Sequence, residues 1–457
     1  MSTQTERLAK GCAKVVSLLL VVCFAFSFYL TLRSGIVPGL NPYIDNRKDE
    51  IIDIAIRRKT VSGEIFDANG KQITKANDAG QAASLLYEEC FSHLIKYASK
   101  GLENKYYRDL RIDEKDHVGA DIHLTINADL QEFCYKQLAD KEGSIIVINS
   151  ETGEILACAS RSSTKYGYSD NTPDEAFAGE KNDFLLNRAT LAEDTAGSTM
   201  KIVTAAAMIE NGMKKYKYDD TKGEYIVNGY PIHNYGNKAY GKDVDIECAL
   251  NNSVNTFFAS ASVELGKDKL EETADKFLLG KDIELDFTTL TSIYDLGNGN
   301  DNFPIAQAGF GQGAVSVSPL QITFFMSAVL NKGEIMKPYL IQNIVNNSET
   351  EYEAKEKVLS KAISKSTANA LKEALHSTAI GYGFDEKTYG KNIYAKSGTA
   401  EIENGKANSN YCLVGVETES GKYTILVNER NSQLGSSSVY KAENSPAKSV
   451  VRYVISM

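Results

Sequence analysis

From Val15 to Leu32 the chain runs for eighteen residues without a charge, VVSLLLVVCFAFSFYLTL, close to the length at which an apolar helix crosses a bilayer core. Arg7, Lys10 and Lys14 precede this run and Arg33 closely follows it, so the positive-inside rule places residues 1–14 in the cytoplasm and the remainder outside. A cleaved signal peptide fits less well, because the run exceeds the usual apolar region and no small-x-small site follows in RSGIVPGLNP. Residues 33–140 are mixed and polar with short apolar runs. Within them VSGEIFDANGKQITKA holds an Asp-x-Asn-Gly hairpin turn. Leu130, Phe133, Cys134 and Leu138 recur at helical spacing behind Asn127, which reads as an N-cap.

A new pattern begins near residue 140. GSIIVINSETGEILACAS sets two apolar runs around Glu151-Thr152-Gly153, a strand, turn and strand. The device returns near the C-terminus, where Tyr411 to Glu417 and Tyr423 to Asn428 flank a turn at Gly421, followed by a helical stretch from Ser445 to Ile455. Sheet strands at both ends enclose a middle rich in helical patterns. Residues 141–457 therefore read as one α+β domain with helices packed on an antiparallel sheet.

Composition narrows the function. The 457 residues carry a formal charge of −10, with 42% hydrophobic and 24% charged residues, and no long Lys/Arg run. That is ample for large cores and argues against nucleic acid as the partner, since phosphate binding needs a concentrated basic face. Cys90, Cys134, Cys158, Cys248 and Cys412 follow the apolar run without CxxC or zinc-ligand spacing, and read as small core residues. No metal or cofactor motif is present. None of the five histidines stands beside a Gly-x-Ser-x-Gly elbow, which sets aside a Ser-His-Asp hydrolase.

Three short motifs carry candidate chemistry. Ser198-Thr199-Met200-Lys201 opens AGSTMKIVTAAAMIENG, whose apolar residues continue to Gly212 as in a buried helix with a glycine cap. Lys201 then lies one turn from Ser198, where a desolvated amine can act as general base toward the serine oxygen and the helix dipole favours developing negative charge. Ser-x-x-Lys also occurs at Ser162/Lys165, Ser438/Lys441 and Ser445/Lys448, in polar or Pro-containing stretches. Ser253-Val254-Asn255 offers a second hydroxyl and an amide for proton relay and substrate positioning, although Ser169-Asp170-Asn171 fits the same pattern. Lys396-Ser397-Gly398-Thr399 reads as a strand, with Gly398 clearing room for a peptide against the backbone and Lys396 and the hydroxyls facing a carboxylate.

In this order, with 55 residues from the first motif to the second and 143 from the second to the third, the set resembles the penicillin-recognising serine enzymes. GADIHLTINADLQ, NRATLAEDTAGSTMKIVTAAA, AGFGQGAVSVSPLQI and AKSGTAEI are similar to landmarks of the class B penicillin-binding proteins, the peptidoglycan D,D-transpeptidases. Upstream, GEIFDANGKQI resembles their N-terminal pedestal signature, with Ser62 where an arginine is usual; Ala196 and Met200 replace a usual proline and phenylalanine. The resemblance implies a transpeptidase fold behind a short pedestal and one transmembrane helix. It implies Ser198 as acylated nucleophile, Lys201 as its base, and Ser253, Asn255 and Lys396 as relay and positioning groups. Ser397, Gly398 and Thr399 would bind substrate, with the N–H groups of Ser198 and Thr399 as oxyanion hole. Gly311-Gln312-Gly313 would be structural support.

The implied partners are D-Ala-D-Ala stem peptides, β-lactams and a membrane glycan polymerase, because the roughly one hundred residues between the apolar run and the hairpin of GSIIVINSETGEILACAS are too few for a glycosyltransferase. Two alternatives stay open: a carboxypeptidase or β-lactam hydrolase, in which water takes the acyl group, and a non-catalytic scaffold or sensor. Tyr235-Gly236-Asn237 invites the hydrolase reading but precedes Ser253, the wrong order, and is read as a loop.

Overall fold

The computed structural model describes residues 53, 55–96, 101–112, 115–162, 185–297, 301–402, 407–432 and 435–457. The apolar run at 15–32 lies outside them, and among the described residues no helix is long and apolar enough to cross a membrane.

The centre is a five-stranded antiparallel sheet in the order Ile393–Ile402, Ala407–Glu417, Lys422–Ser432, Glu142–Asn149, Ile155–Arg161. Its first hairpin turns at Gly153, in the left-handed region at φ 90°, and pairs Ile146 with Cys158. Helices cover both faces, which is why Ile145, Ile146 and Val147 are all fully buried and the strand reads as a continuous apolar run rather than an alternating one. Thr418 and Gly421 close the second hairpin, the Thr418 N–H donating to the Gly421 carbonyl at 2.9 Å.

On one face the helix Pro446–Ile455 packs with Ala128–Gln137, Phe133 and Tyr453 meeting at 4.8 Å between ring centroids. Asn127 caps the second of these, its side chain accepting from the Leu130 N–H at 3.0 Å. On the other face lie Pro319–Leu330, buried along its whole length behind a Ser318/Gln321 capping box, then Lys201–Glu210 and Lys365–Gly381.

The N-terminal module does not stand apart. Ile65–Phe66 pairs in parallel with Asp121–Leu124, and that strand pairs with Ile341–Asn346, which is followed by Glu349–Glu353. The apolar cores on either side of residue 140 are continuous. The Asp-x-Asn-Gly segment is the expected turn: Phe66 bridges Gln72, and Asp67 Oδ1 accepts from the N–H groups of Asn69 and Lys71. Ser62, where an arginine was the pattern, is buried and donates to the Gly63 carbonyl.

Candidate active site

The site forms where the edge strand Ile393–Ile402 passes the start of the helix Lys201–Glu210. Residues Gly197–Met200 make a 3₁₀ turn that runs into that helix, which leaves Ser198 half-buried at the helix entry. The turn is held on both sides. Gly197 has φ 53° and donates its N–H to the Gly311 carbonyl at 2.9 Å; Thr199 Oγ1 donates to the Ala196 carbonyl at 2.6 Å, and Thr204 Oγ1 to Gly309 at 2.8 Å. Gly311-Gln312-Gly313 thus buttresses the turn as expected.

A Cβ on Gly311 would stand 2.0 Å from the Gly197 carbonyl oxygen, at a backbone φ of 81°. Gly311→Ala is expected to cost about 1–3 kcal/mol through this overlap and, by displacing Ser198, to slow its acylation by about 100-fold. Thermal denaturation together with the rate of labelling by a β-lactam checks both.

Gly398 differs from its expected use. A Cβ there would meet Thr199 Cγ2 and Tyr411 Cδ2, each at 3.2 Å. The missing side chain makes room for the Gly197–Met200 turn and for Tyr411. The peptide edge is open for another reason: the Ser397 N–H is bonded to a tyrosine off the sheet, so by the alternation of an antiparallel strand the Thr399 N–H also points away from the neighbouring strand.

Two lysines meet behind Ser198, both fully buried. Lys201 Nζ lies 2.7 Å from the Ser253 carbonyl, 2.7 Å from Asn255 Oδ1 and 3.0 Å from Ser253 Oγ; Lys396 Nζ lies 3.1 Å from the same Oγ and 3.0 Å from the Ser397 carbonyl. Burial pushes the Lys201 amine well below its ordinary range, and the nearby Lys396 charge pushes it further; burial lowers Lys396 to about 7. Three acceptors around Lys201 would suit an ammonium, yet none of them carries a charge to offset desolvation. The neutral amine satisfies the same geometry, with two N–H donors to the carbonyl and the amide oxygen and the lone pair accepting the Ser253 O–H. Ser253 Oγ in turn accepts from Lys396.

Lys201, Ser253, Asn255 and Lys396 therefore form one hydrogen-bonded cluster, and Ser198 stands one turn before Lys201 at the helix entry, with one difference from expectation. Among the described residues no hydrogen bond joins Lys201 to Ser198; the lysine's bonds go to the second motif. Ser253 itself has φ 55°, an uncommon conformation for a side-chain-bearing residue. It lies between the helix Ile246–Asn251, with Asn252 as its C-cap, and Asn255–Leu265, with Val254 as its N-cap, so Ser253 sits on the sharp connection and Asn255 opens the second helix.

Sequence patterns did not indicate the support for this connection. Asp220, fully buried, accepts from Thr256 Oγ1 at 2.7 Å, Asn234 Nδ2 at 2.8 Å and the Tyr240 N–H at 3.0 Å, and Asn255 Nδ2 donates to the His233 carbonyl at 3.1 Å. Tyr235-Gly236-Asn237 is the solvent-exposed tip of that segment, a turn with Gly236 and Asn237 both at positive φ.

Among the described residues, the Ser-x-x-Lys pairs Ser438/Lys441 and Ser445/Lys448 have no such company. Ser438 donates to Glu429 at 2.9 Å, and Ser445 heads the helix Pro446–Ile455 with Lys448 beside Glu443 at 3.5 Å. This last pair, in its Pro-containing stretch, was not expected to precede a buried helix, yet Pro446–Ile455 has a buried face. Lys165 and Ser169-Asp170-Asn171 lie outside the described residues. Among the described residues the five cysteines are free, four of them buried, and no three His, Cys, Asp or Glu side chains group to hold a metal.

A serine at a helix entry, backed by two buried lysines that share one hydroxyl, is a centre built for serine acyl transfer. The penicillin binding protein transpeptidase domain matches residues 143–455, more than half of the chain, and the chain belongs to that family. Penicillin-binding protein 3 of Bacillus subtilis is 26% identical over 388 residues, covering 78% of this chain and 57% of that protein. Peptidoglycan D,D-transpeptidase MrdA of Haemophilus influenzae is 26% identical over 370 residues, 75% of this chain and 56% of its own length. The chain thus spans little more than half the length of these relatives. Among solved structures, the D,D-transpeptidase domain of a peptidoglycan glycosyltransferase from Eggerthella lenta superposes with a TM-score of 0.75 at 24% identity, covering 87% of this chain and 99% of that one. A ceftriaxone acyl-enzyme complex of penicillin-binding protein A from Mycobacterium tuberculosis gives 0.75 at 20% identity, covering 88% and 98%. At these identities the superpositions establish the fold.

Proposed function

We propose that this chain is a membrane-anchored peptidoglycan D,D-transpeptidase, held by a helix over residues 15–32 with residues 1–14 cytoplasmic, a pedestal at 33–140 and the transpeptidase domain at 141–457 outside the membrane. The observation that carries the reading is the shared Ser253 hydroxyl, which couples the two buried lysines beside Ser198.

In this scheme Ser198 Oγ attacks the carbonyl carbon between the two D-alanines of a stem peptide. As Ser253 turns its O–H away from the Lys201 lone pair, that neutral amine takes the Ser198 proton, and the tetrahedral oxyanion is met by the N–H groups of Ser198 and Thr399. The C–N bond then breaks, and the relay Lys201–Ser253 returns a proton to the departing D-alanine nitrogen. An amine from a second stem peptide attacks the ester, loses a proton into the same relay and frees Ser198, which completes the cross-link. Lys396, Ser397 and Thr399 hold the substrate carboxylate, and Asn255 the acyl-side amide. A β-lactam enters the same first step and stays as a stable ester. Relatives named as peptidoglycan D,D-transpeptidases and the β-lactam acyl-enzymes of structural neighbours support this assignment. A glycan polymerase in the membrane would supply the strands.

The lysines dictate a bell-shaped pH profile. Lys201 must be neutral, so acylation falls as pH drops through its depressed pKa. Lys396 must be charged to meet a carboxylate, so efficiency also falls as pH rises through about 7 in the free protein. The second-order acylation constant of a carboxylate-bearing β-lactam, measured from pH 5 to 9, should show both limbs, and Lys396→Arg should remove the alkaline one. The test of the function itself is product analysis with a stem pentapeptide and an acceptor amine. A cross-linked product supports a transpeptidase, and release of D-alanine to water alone supports the carboxypeptidase alternative.

A further inference from the structure

Tyr382 was not indicated by any motif, yet its hydroxyl touches the carboxylate-binding strand twice. It follows the helix Lys365–Gly381, where its own N–H donates to the Thr378 carbonyl at 3.0 Å and Gly383 turns the chain away at φ 84°. Its Oη stands 2.7 Å from Ser397 Oγ and accepts from the Ser397 N–H at 3.2 Å. The ring stacks on Tyr440 with centroids 4.3 Å apart and planes at 28°. Tyr440 in turn has Ser397 and Ser436 as polar neighbours.

Proton counting fixes the direction of the short contact. If Ser397 donated to Tyr382, the tyrosine's buried O–H would have no acceptor among the described residues, a loss a buried donor rarely tolerates. Tyr382 therefore accepts from the Ser397 N–H and donates to Ser397 Oγ. The Ser397 proton is left for the cleft, where the acceptors are Tyr440 and an incoming anion. Burial also pushes the Tyr382 phenol well up, consistent with a group that keeps its proton.

We infer that Tyr382 is a positioning residue that holds the Ser397 hydroxyl as a donor toward the substrate carboxylate, so that this chain's selectivity for carboxylate-bearing ligands depends on a tyrosine outside the three motifs. The inference rests on the acyl-transfer reading above and adds to it a determinant of ligand choice.

The test compares benzylpenicillin with its methyl ester on the full-length protein in detergent, following Ser198 acylation by stopped reaction and mass spectrometry. Tyr382→Phe removes only the hydroxyl and keeps the stacked ring. It should weaken pre-acylation binding of the acid by about tenfold, leave the acylation rate at saturation and the ester's kinetics within about twofold, and add nothing to Ser397→Ala in the double variant. Equal losses on acid and ester would reveal a merely structural tyrosine and overturn the inference, as would an unchanged acid-to-ester ratio. Failure of the acyl-transfer reading is distinguishable, because it appears in the wild-type protein as the absence of any Ser198 adduct, and it would remove this inference as well.

Discussion

Ser198→Ala is expected to lose covalent labelling by β-lactams by more than about 10⁴-fold, while its unfolding free energy stays within about 0.5 kcal/mol of the parent. The two halves of this expectation have separate causes. The hydroxyl is the only atom lost, and in the proposed chemistry it forms the bond, so no neighbour can replace it. Yet the side chain is half-buried and makes no hydrogen bond among the described residues, whereas the turn itself is held by Gly197, Thr199 and Thr204. Ser438→Ala is the control at another Ser-x-x-Lys pair: it breaks a bond to Glu429 and none to either buried lysine, and it should label normally. Ser162→Ala should do the same. Radiolabelled or fluorescent penicillin on gels, with chemical denaturation of the same samples, reads both halves.

Lys201→Met carries the second large effect. Without the base, acylation should fall by about 10²–10⁴-fold. Stability should change in a pH-dependent way whose sign follows from linkage. The unfolded chain keeps a proton on a lysine up to the ordinary value of 10.5, whereas the buried Lys201 releases it at far lower pH and Lys396 at about 7. Between those limits the unfolded state binds more protons, so the stability of the parent rises with pH from about 7 toward 10.5. Removing Lys201 takes away its share of the slope. It also leaves the Ser253 carbonyl and Asn255 Oδ1 without their donor, which lowers stability at every pH. The variant should therefore be flatter across this window, whatever its offset. A slope equal to that of the parent would mean that Lys201 is charged in the folded protein and unsuited to be a base.

Local chemistry was legible in the sequence where it depends on one element. Ser198 and Lys201 share a helical turn, so their spacing alone placed them; Asn127 and Gly153 likewise declared a cap and a turn. What depends on distant contacts was not. Lys201 turns out to bond Ser253 and Asn255 rather than Ser198, because the site is closed by residues more than fifty positions away. Gly398 looked like a gap for substrate, but only the packed structure shows Thr199 and Tyr411 filling its face. Asp220 and Tyr382 are ordinary polar residues in sequence; they matter through partners brought near by a segment and a helix that no periodicity connects. The edge position of Ile393–Ile402 is also a property of strand order, which alternation along a single strand does not reveal.

The most direct test of the central claim is peptide mapping of the full-length protein after reaction with a β-lactam. One adduct of intact drug mass is expected on the tryptic peptide Ala189–Lys201, at Ser198, and none when the protein is first acylated by a stem-peptide ester. An adduct on any other serine, or none in folded protein, would contradict it.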